Sequence, residues 1–291
     1  MDKSNRLTVL MPVYNGQRFL ADTMHSILSQ SYRDFEFLIV DDGSTDESLS
    51  IVRSFDDSRI RVVQNPKRLK LSGALNLGIK ESRGSYIARM DADDIALPER
   101  LAKQVTFLDA NTKIGLCGSW VKRFGAGAKT VDKPLSNQAR VKAYALFDCP
   151  FAHPTVMFRK EWFEDHDLFY NGSYYPTEDY ELWSRALDFF PGGNLPEVLL
   201  HYRIHADSMT CSDWQDMDGK GAIIAGPLLK KLGLEVSVDE LRVHRNIGRG
   251  QSYAAGEIGE VDRAEGWLLK LAQANLAADR YNETAFREVL A

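Results

Sequence analysis

Apolar positions in the first hundred residues follow two rhythms. Leu7 to Val13 is a short, near-continuous apolar run that closes on Pro12 and the turn-forming pair Asn15-Gly16, the pattern of a buried strand. Phe19, Leu20, Met24, Ile27 and Leu28 then recur at helical spacing through Gln30. Phe35 to Val40 is a second strand, leading directly into Asp41-Asp42-Gly43-Ser44-Thr45-Asp46. Ser44 and Glu47 have capping-box spacing and predict a helix with Leu49, Val52 and Phe55 on one side. Arg59 to Gln64 gives a third strand and Ser72 to Glu81 a helix. Ser85 to Met90 gives a fourth strand, which runs into Asp91-Ala92-Asp93-Asp94. Pro98 opens a helix with Leu101, Val105 and Leu108 inward.

Strands and helices alternating at this spacing predict an α/β chain with a parallel sheet covered on both faces. Ligands of such sheets sit beyond the carboxyl ends of the strands. Tyr14, Asp41, Asp42 and the acids of 91–94 all fall there. From about 114 to 205 the pattern loosens into short strands and aromatic-rich loops around one helix, Thr177 to Phe190. Beyond Ser208, Lys220 to Leu232, Val238 to Asn246, Asp262 to Asn275 and Glu283 to Leu290 all read helical. The division is therefore a sheet domain over 1–208 and a helical appendage over 209–291, with the boundary in Asp207 to Asp218.

Composition narrows the function. Hydrophobic residues at 44% and charged residues at 26% of 291 are ordinary globular values. A net charge of −5 and a pI near 5.7 exclude a general nucleic-acid binder, which needs a basic footprint. Cys117, Cys149 and Cys211 form neither a disulfide framework nor a zinc spacing, which predicts a reducing compartment. No signal-like apolar region or membrane-length run occurs, so a cytoplasmic protein is expected. An acidic chain that handles an anion must recruit a cation.

The chemistry-bearing residues each admit two readings. Asp91 and Asp93 project to the same side of an extended Asp-Ala-Asp segment, where oxygen ligands suit Mn²⁺ or Mg²⁺; alternatively, with Asp94, they cap the Pro98 helix. Asp41 and Asp42 end an apolar strand and could take a base N–H or ribose hydroxyls, or simply form an Asx turn. Glu178-Asp179 opens a helix, where the dipole favours the ionised form a general base needs, or where an acid merely complements that dipole. Arg203 and His205, with His201 in phase, alternate in an extended stretch and suit phosphate and metal. His153 reads as a loop or packing histidine, and Lys67, Arg68 and Lys70 either as a loop that could approach a nucleotide or as a solvated basic run. The absence of GxGxxG after the first strand, and of GxxxxGK[ST] anywhere, leaves phosphates to a metal and basic side chains.

Val9-Leu-Met-Pro-Val-Tyr-Asn15, Val40-Asp-Asp-Gly-Ser-Thr-Asp46, Ala74-Leu-Asn-Leu-Gly78, Met90-Asp-Ala-Asp-Asp94 and Glu178-Asp179 occur in that order. Together they resemble the inverting family 2 glycosyltransferases of GT-A fold, over roughly residues 6–208. His153-Pro-Thr-Val-Met-Phe-Arg159 and Tyr202-Arg-Ile-His205 resemble segments of the bacterial non-processive members. The resemblance implies a Rossmann-like, mixed, mostly parallel sheet flanked by helices. It implies that Pro12, Tyr14 and Asp41, with Asp42 beside them, form the nucleotide site, that Asp91 binds ribose and Asp93 the metal, and that Asp179 is the catalytic base. Arg203 and His205 would support the departing diphosphate, His205 as a metal ligand.

The donor implied is a nucleotide-sugar, foremost a UDP-sugar, and the acceptor a glycan or lipid-linked oligosaccharide of a surface polysaccharide. No Gln-X-X-Arg-Trp motif or membrane helix accompanies these residues, so one or a few sugars would be added rather than a polymer. Such acceptors would bring the chain to the inner face of a membrane. Leu228, Leu229, Lys230, Lys231 and Trp267 could serve that contact, a homodimer interface, or ordinary helix packing. Two rivals stand: a nucleotidyltransferase, disfavoured by the missing Gly-rich loop, and a non-catalytic nucleotide-sugar-binding protein.

Overall fold

A computed structural model describes residues 6–65, 67–206, 214–250 and 258–291. Strands β1 (Leu7–Val13), β2 (Phe35–Asp41), β3 (Ile60–Gln64) and β4 (Tyr86–Arg89) are interleaved with helices α1 (Leu20–Leu28), α2 (Ser48–Arg53) and α3 (Lys70–Glu81). The middle of the chain supplies β5 (Ile95–Ala96), α4 (Arg100–Ala110), β6 (Leu116–Phe124), β7 (Val131–Asp132) and α5 (Gln138–Tyr144). It continues through β8 (Met157–Arg159), α6 (Lys160–Asp165), α7 (Glu178–Phe189) and β9 (Gly192–Arg203). The remainder is helical: α8 (Trp214–Lys230), α9 (Val238–Gly248), α10 (Ile258–Ala278) and α11 (Glu283–Leu290).

All strands join one sheet in the order β3-β2-β1-β4-β8-β6-β9-β5, with β7 paired to β6. The first four strands are mutually parallel, as the alternation predicts. β8 then enters antiparallel to both β4 and β6, so the sheet is mixed although the long ladders are parallel. Both faces are covered. Along β1 the side chains of Leu7, Val9, Met11 and Val13 enter one apolar layer and Leu10 the other; along β2 Phe35, Phe37 and Ile39 oppose Leu38 and Val40. Burial on both faces is why these strands read as unbroken apolar runs. The first layer is closed by Leu20, Met24 and Ile27 of α1 with Leu101, Val105 and Leu108 of α4. The second is closed by Leu75 and Ile79 of α3 with Leu182 and Trp183 of α7.

The stretch after β4 bends the whole sheet. Six residue steps separate Arg89 from Ile95, yet β5 lies four strand places beyond β4. On a flat sheet four spacings are about 19 Å, nearly all that six fully extended residues reach at about 3.3–3.6 Å each. Residues 92–93 form a turn, so the chain is not extended and the sheet curls instead. Helix α1 and Gln30 just beyond it receive the returning strand with their polar side chains. Thr23 Oγ1 donates to Asp94 O (2.8 Å), Gln30 Nε2 donates to Leu97 O (2.7 Å), and Ser26 Oγ accepts from the Ala96 N–H (3.1 Å).

Two local expectations are corrected. Ser44 does not box α2: its Oγ accepts the Asn15 N–H, and Asp46 Oδ1 caps the first turn by accepting from the Ser48 N–H. The helix predicted from Pro98 begins at Arg100, with Leu97 O accepting from the Arg100 N–H.

The C-terminal helices pack onto the sheet domain. Leu228, Leu229, Trp267 and Phe286 share an apolar cluster with Leu146 and Phe147 after α5 and with Tyr180 of α7. Leu228, Leu229 and Trp267 are therefore interior residues, and a membrane or dimer contact through them is ruled out by their burial. Trp267 Nε1 donates to His244 Nδ1 (3.1 Å) while His244 Nε2 donates to Leu146 O (2.9 Å), with burial pushing the His244 pKa down to about 4. Among the described residues no helix is long and apolar enough to cross a membrane. Residues 207–213 of the predicted boundary lie outside the described residues.

Two glycines mark close approaches around β1. A Cβ on Gly78 would fall 2.2 Å from Leu10 Cδ1, and one on Gly84 would fall 2.4 Å from the Thr8 backbone nitrogen. The second neighbour is main chain and cannot swing away. Gly84→Ala is expected to destabilise by about 1–3 kcal/mol, the cost of overpacking, read as a lower urea midpoint; an unchanged midpoint would contradict this packing.

Candidate active site

The carboxyl ends of β1, β2 and β4 lie side by side, so the turns that follow them meet. Asn15 joins two of these turns: its N–H donates to Ser44 Oγ (3.0 Å), and its Oδ1 accepts from the Thr45 N–H (2.8 Å). A Cβ on Gly16 would stand 3.6 Å from Ala92 Cβ, which places the third turn against the first.

That third turn carries the acids. Oxygens of Asp91, Asp93 and Asp94 lie within 4.8 Å of one another. Asp91 is ion-paired with the buried Arg89 two residues before it. Asp94 is fully buried; its Oδ1 accepts from the Arg203 N–H (2.8 Å), and its Oδ2 has no hydrogen-bond partner. Burial, then the charges of Asp91 and Asp93, hold the Asp94 pKa well above the usual carboxylate range. Burial also raises Asp91, against the opposing pull of Arg89. His205 Nε2 stands 2.9 Å from Asp93 Oδ2. Crowded carboxylates, a buried oxygen lacking a partner and an imidazole beside them form a donor set that fits a hard divalent cation. Neighbouring ligands of an octahedral ion with bonds of about 2.1 Å are themselves roughly 3 Å apart, as this His205–Asp93 pair is.

Arg203 braces that turn. Its Nε donates to Asp93 O (2.7 Å), and its guanidinium lies against the Phe19 and Phe124 rings at 4.3 and 4.6 Å. Its Nη2 also lies 3.6 Å from Asp22 Oδ2 of α1, so the guanidinium links that helix to the acidic turn. His201, in phase with it, packs against Phe124 and does not join the acids.

The second acidic group comes from α7. Asp179 Oδ1 accepts the Tyr180 N–H (2.7 Å), and Oδ2 faces Cys149 Sγ at 3.7 Å and His153 Nδ1 at 4.0 Å. The helix start was expected to favour the ionised form. Burial prevails over the Tyr180 N–H and the charge of Arg89, and lifts the Asp179 pKa to about 6. Glu178 is more deeply buried and lifted to about 7, by burial first and the Asp179 charge second. Asp179, with its side chain 21% exposed, is the more open of the two. His153 packs against the Tyr170 and Trp183 rings, as its reading expects, and its Nε2 also meets Tyr170 Oη at 2.9 Å; burial with the nearby Arg89 charge keeps it neutral, its pKa well below the ordinary value.

A cavity of about 800 Å³ joins the two groups, lined by Arg89, Asp91, Asp93, His153, Glu178 and Asp179 among others. Pro12, Tyr14, Asp41, Asp42, Arg203 and His205 are not among its lining residues. Tyr14 is 41% exposed, and the Arg68 guanidinium lies 3.6 Å from its ring centroid, so Arg68 is not part of a merely solvated run. Asp41 is buried and accepts from the Ser44 N–H (3.2 Å). Asp42 Oδ1 accepts from Asn65 Nδ2 (2.9 Å) and the Leu69 N–H (2.7 Å), so that oxygen fastens the connection between β3 and α3.

The sequence reading missed Arg89, the tie between the acidic groups, because a lone arginine in Tyr86-Ile-Ala-Arg-Met90 reads as an outward polar residue. Its only hint was that the strand is otherwise unbroken.

The curled, mostly parallel sheet with acids at its strand ends is a GT-A glycosyltransferase fold. The sequence matches the family described as "Glycosyl transferase family 2" over residues 8–167, and the chain belongs to that family. It is 34% identical over 217 residues to a putative glycosyltransferase, EpsE, of Bacillus subtilis, covering 72% of this chain and 76% of that one. It is 31% identical over 211 residues to the O-antigen biosynthesis glycosyltransferase WbnJ of Escherichia coli, covering 69% and 81%. Among solved structures, S. aureus TarS in complex with UDP-GlcNAc superimposes with a TM-score of 0.65 at 18% identity, over 98% of this chain and 90% of that one. A mannosyltransferase of Pyrobaculum calidifontis, in complex with GDP-Man and Mn²⁺, gives 0.58 at 17% identity, over 98% and 73%. The nucleotidyltransferase rival is left without support.

Removing Arg89 tests the tie. Arg89→Met should cost about 3 kcal/mol, as breaking a buried pair by deleting one partner does. Because the Arg89 charge lowers the Asp179 pKa, the variant should also titrate Asp179 at higher pH, measurable by carboxyl-resolved NMR. An unmoved Asp179 titration would disconnect the two groups.

Proposed function

We propose that this chain is a metal-dependent inverting glycosyltransferase that moves a sugar from a nucleotide-sugar, foremost a UDP-sugar, to a hydroxyl of a glycan or lipid-linked acceptor. The observation that carries the reading is one cavity lined both by the acids of the β4 turn and by a carboxylate tuned to about 6. Asp179 is the base: ionised at neutral pH yet more basic than an ordinary aspartate, it takes the proton of the acceptor hydroxyl. That oxygen bonds to the anomeric carbon from the face opposite the diphosphate, whose bond breaks with the electron pair leaving on the phosphate oxygen. Inversion follows from this single displacement.

Asp93 and His205 would hold a divalent cation, with Asp91 and Asp94 beside them; bound there, Mn²⁺ or Mg²⁺ would supply positive charge to the leaving diphosphate. Asp91 would also take the ribose hydroxyls, and Pro12, Tyr14 and Asp41 the base, with Asp41 accepting from uracil. For Asp41 and Tyr14 the support is position, at the open ends of adjacent parallel strands. Arg203 acts by bracing the metal turn, and Asp42 by fastening the neighbouring loop. The resemblance to a UDP-GlcNAc complex favours uridine, and the O-antigen relative favours a surface-polysaccharide acceptor. The sheet domain over 1–208 carries these roles, and a cytoplasmic setting facing a membrane-held acceptor agrees with them.

Three measurements decide the reading. Asp179→Asn should retain UDP binding while losing transfer by about 10²-fold or more. In the unsubstituted protein kcat/KM should fall about tenfold per pH unit below 6, because only ionised Asp179 serves, and level off above about 7. Normal transfer by the variant would remove Asp179 from the base role. Separately, UDP should raise the melting temperature with Mn²⁺ present and hardly at all after EDTA. Equal shifts in both would sink the metal.

A further inference from the structure

A second wall of the same cavity is built by elements that none of the nucleotide-sugar roles engages. β6 supplies Arg123, β7 and the residue after it supply Asp132 and Lys133, α5 supplies Arg140, and α11 supplies Glu288. Arg123 Nε donates to Asp132 Oδ2 at 2.7 Å. Arg140 is held far more loosely: its buried Nε has no hydrogen-bond partner, although Glu288 Oε2 stands 3.5 Å away. Lys133 is exposed, with its ammonium 5.1 Å from the Trp120 ring centroid. Three cations thus face two carboxylates on this wall, while Asp91, Asp93, Glu178 and Asp179 make other parts of the lining acidic.

We infer that this wall is the acceptor subsite and that it takes a sugar bearing an acidic group, a phosphate or a carboxylate. The inference rests on the glycosyltransferase reading above and names the substrate class of that site. An anionic substituent is repelled by the acids around Asp179 and drawn to Lys133 and Arg140, which turns the opposite end of the sugar, with its hydroxyl, toward Asp179. A guanidinium with an unused buried donor gains a charge-assisted, two-pronged contact when phosphate or carboxylate arrives. Glu288 competes for that guanidinium, so the C-terminal helix sets how strongly an acidic acceptor is held.

The test uses the full chain saturated with UDP and Mn²⁺, titrated calorimetrically with glucose, glucose 1-phosphate and glucuronic acid. At least one acid should bind about tenfold more tightly than glucose; glucose 1-phosphate leading indicates a phosphate, and glucuronic acid a carboxylate. Lys133→Ala and Arg140→Gln should each erase most of that preference, whereas Lys122→Ala, outside the cavity, should leave it intact. Glu288→Gln should strengthen acid binding by freeing Arg140, the opposite of what a purely structural helix contact would give. Equal binding of glucose and both acids, a preference that survives Lys133→Ala and Arg140→Gln, or weaker acid binding in Glu288→Gln would each overturn the assignment. UDP binding is measured first in the same cell. Its absence defeats the donor reading, and its presence without acid preference defeats only this subsite.

Discussion

The buried ion pair of Arg89 with Asp91 is the constraint around which the rest of the site is arranged. Taking a guanidinium out of water is costly unless acids surround it. Arg89 meets this condition with Asp91 at hydrogen-bond range and with the charge of Asp94 nearby. Its carbonyl accepts from a second buried arginine, Arg100 Nη2, whose own pKa is pushed to about 10 by burial and by Arg89. The dependence runs both ways. Without the acids the arginines would be unpaired charges in the interior; without Arg89, Asp91 and Asp179 would be driven further toward protonation. Stability and the protonation state of the proposed base are therefore set by the same charge.

Much of the first half was legible in the chain because parallel strands buried on both faces leave a strong mark. Leu7–Val13 matches in full, and Asp41, Asp42 and Asp91 to Asp94 are at strand ends where ligands bind; outside the sheet, the helix Glu283–Leu290 also matches in full. The shortest strands were not legible. β5 has two residues and β8 three, too few for any periodicity to show. Electrostatics was legible in kind but not in sign of outcome: the dipole argument for Asp179 was sound, and burial outweighed it. Pairings distant in sequence, such as His153 with Tyr170 or Arg68 over Tyr14, left no local trace.

Several polar residues around the site hold other residues in place. Asp42 secures the loop at Asn65 and Leu69, Arg203 grips the backbone of the acidic turn, and Asn15 laces two turns together. Open strand ends need such fastenings, since the main-chain groups of loops must find partners too. The same logic extends to the C-terminal helices, where the relay from Trp267 through His244 to the Leu146 carbonyl joins the appendage to the segment after α5, the helix that carries Arg140.

The turn at 90–94 also bears on how this chain can vary. It is a tether of set length between two parts of one curled sheet, with Thr23 and Ser26 of α1 moored to its far end. A residue added there would let the curl relax, and one removed would tighten it or pull Ile95 out of register with His201. The spacing of Asp91, Asp93 and Asp94 is thus dictated by mechanics as much as by ligand chemistry: a change in tether length would reach the far edge of the sheet as well as the acids.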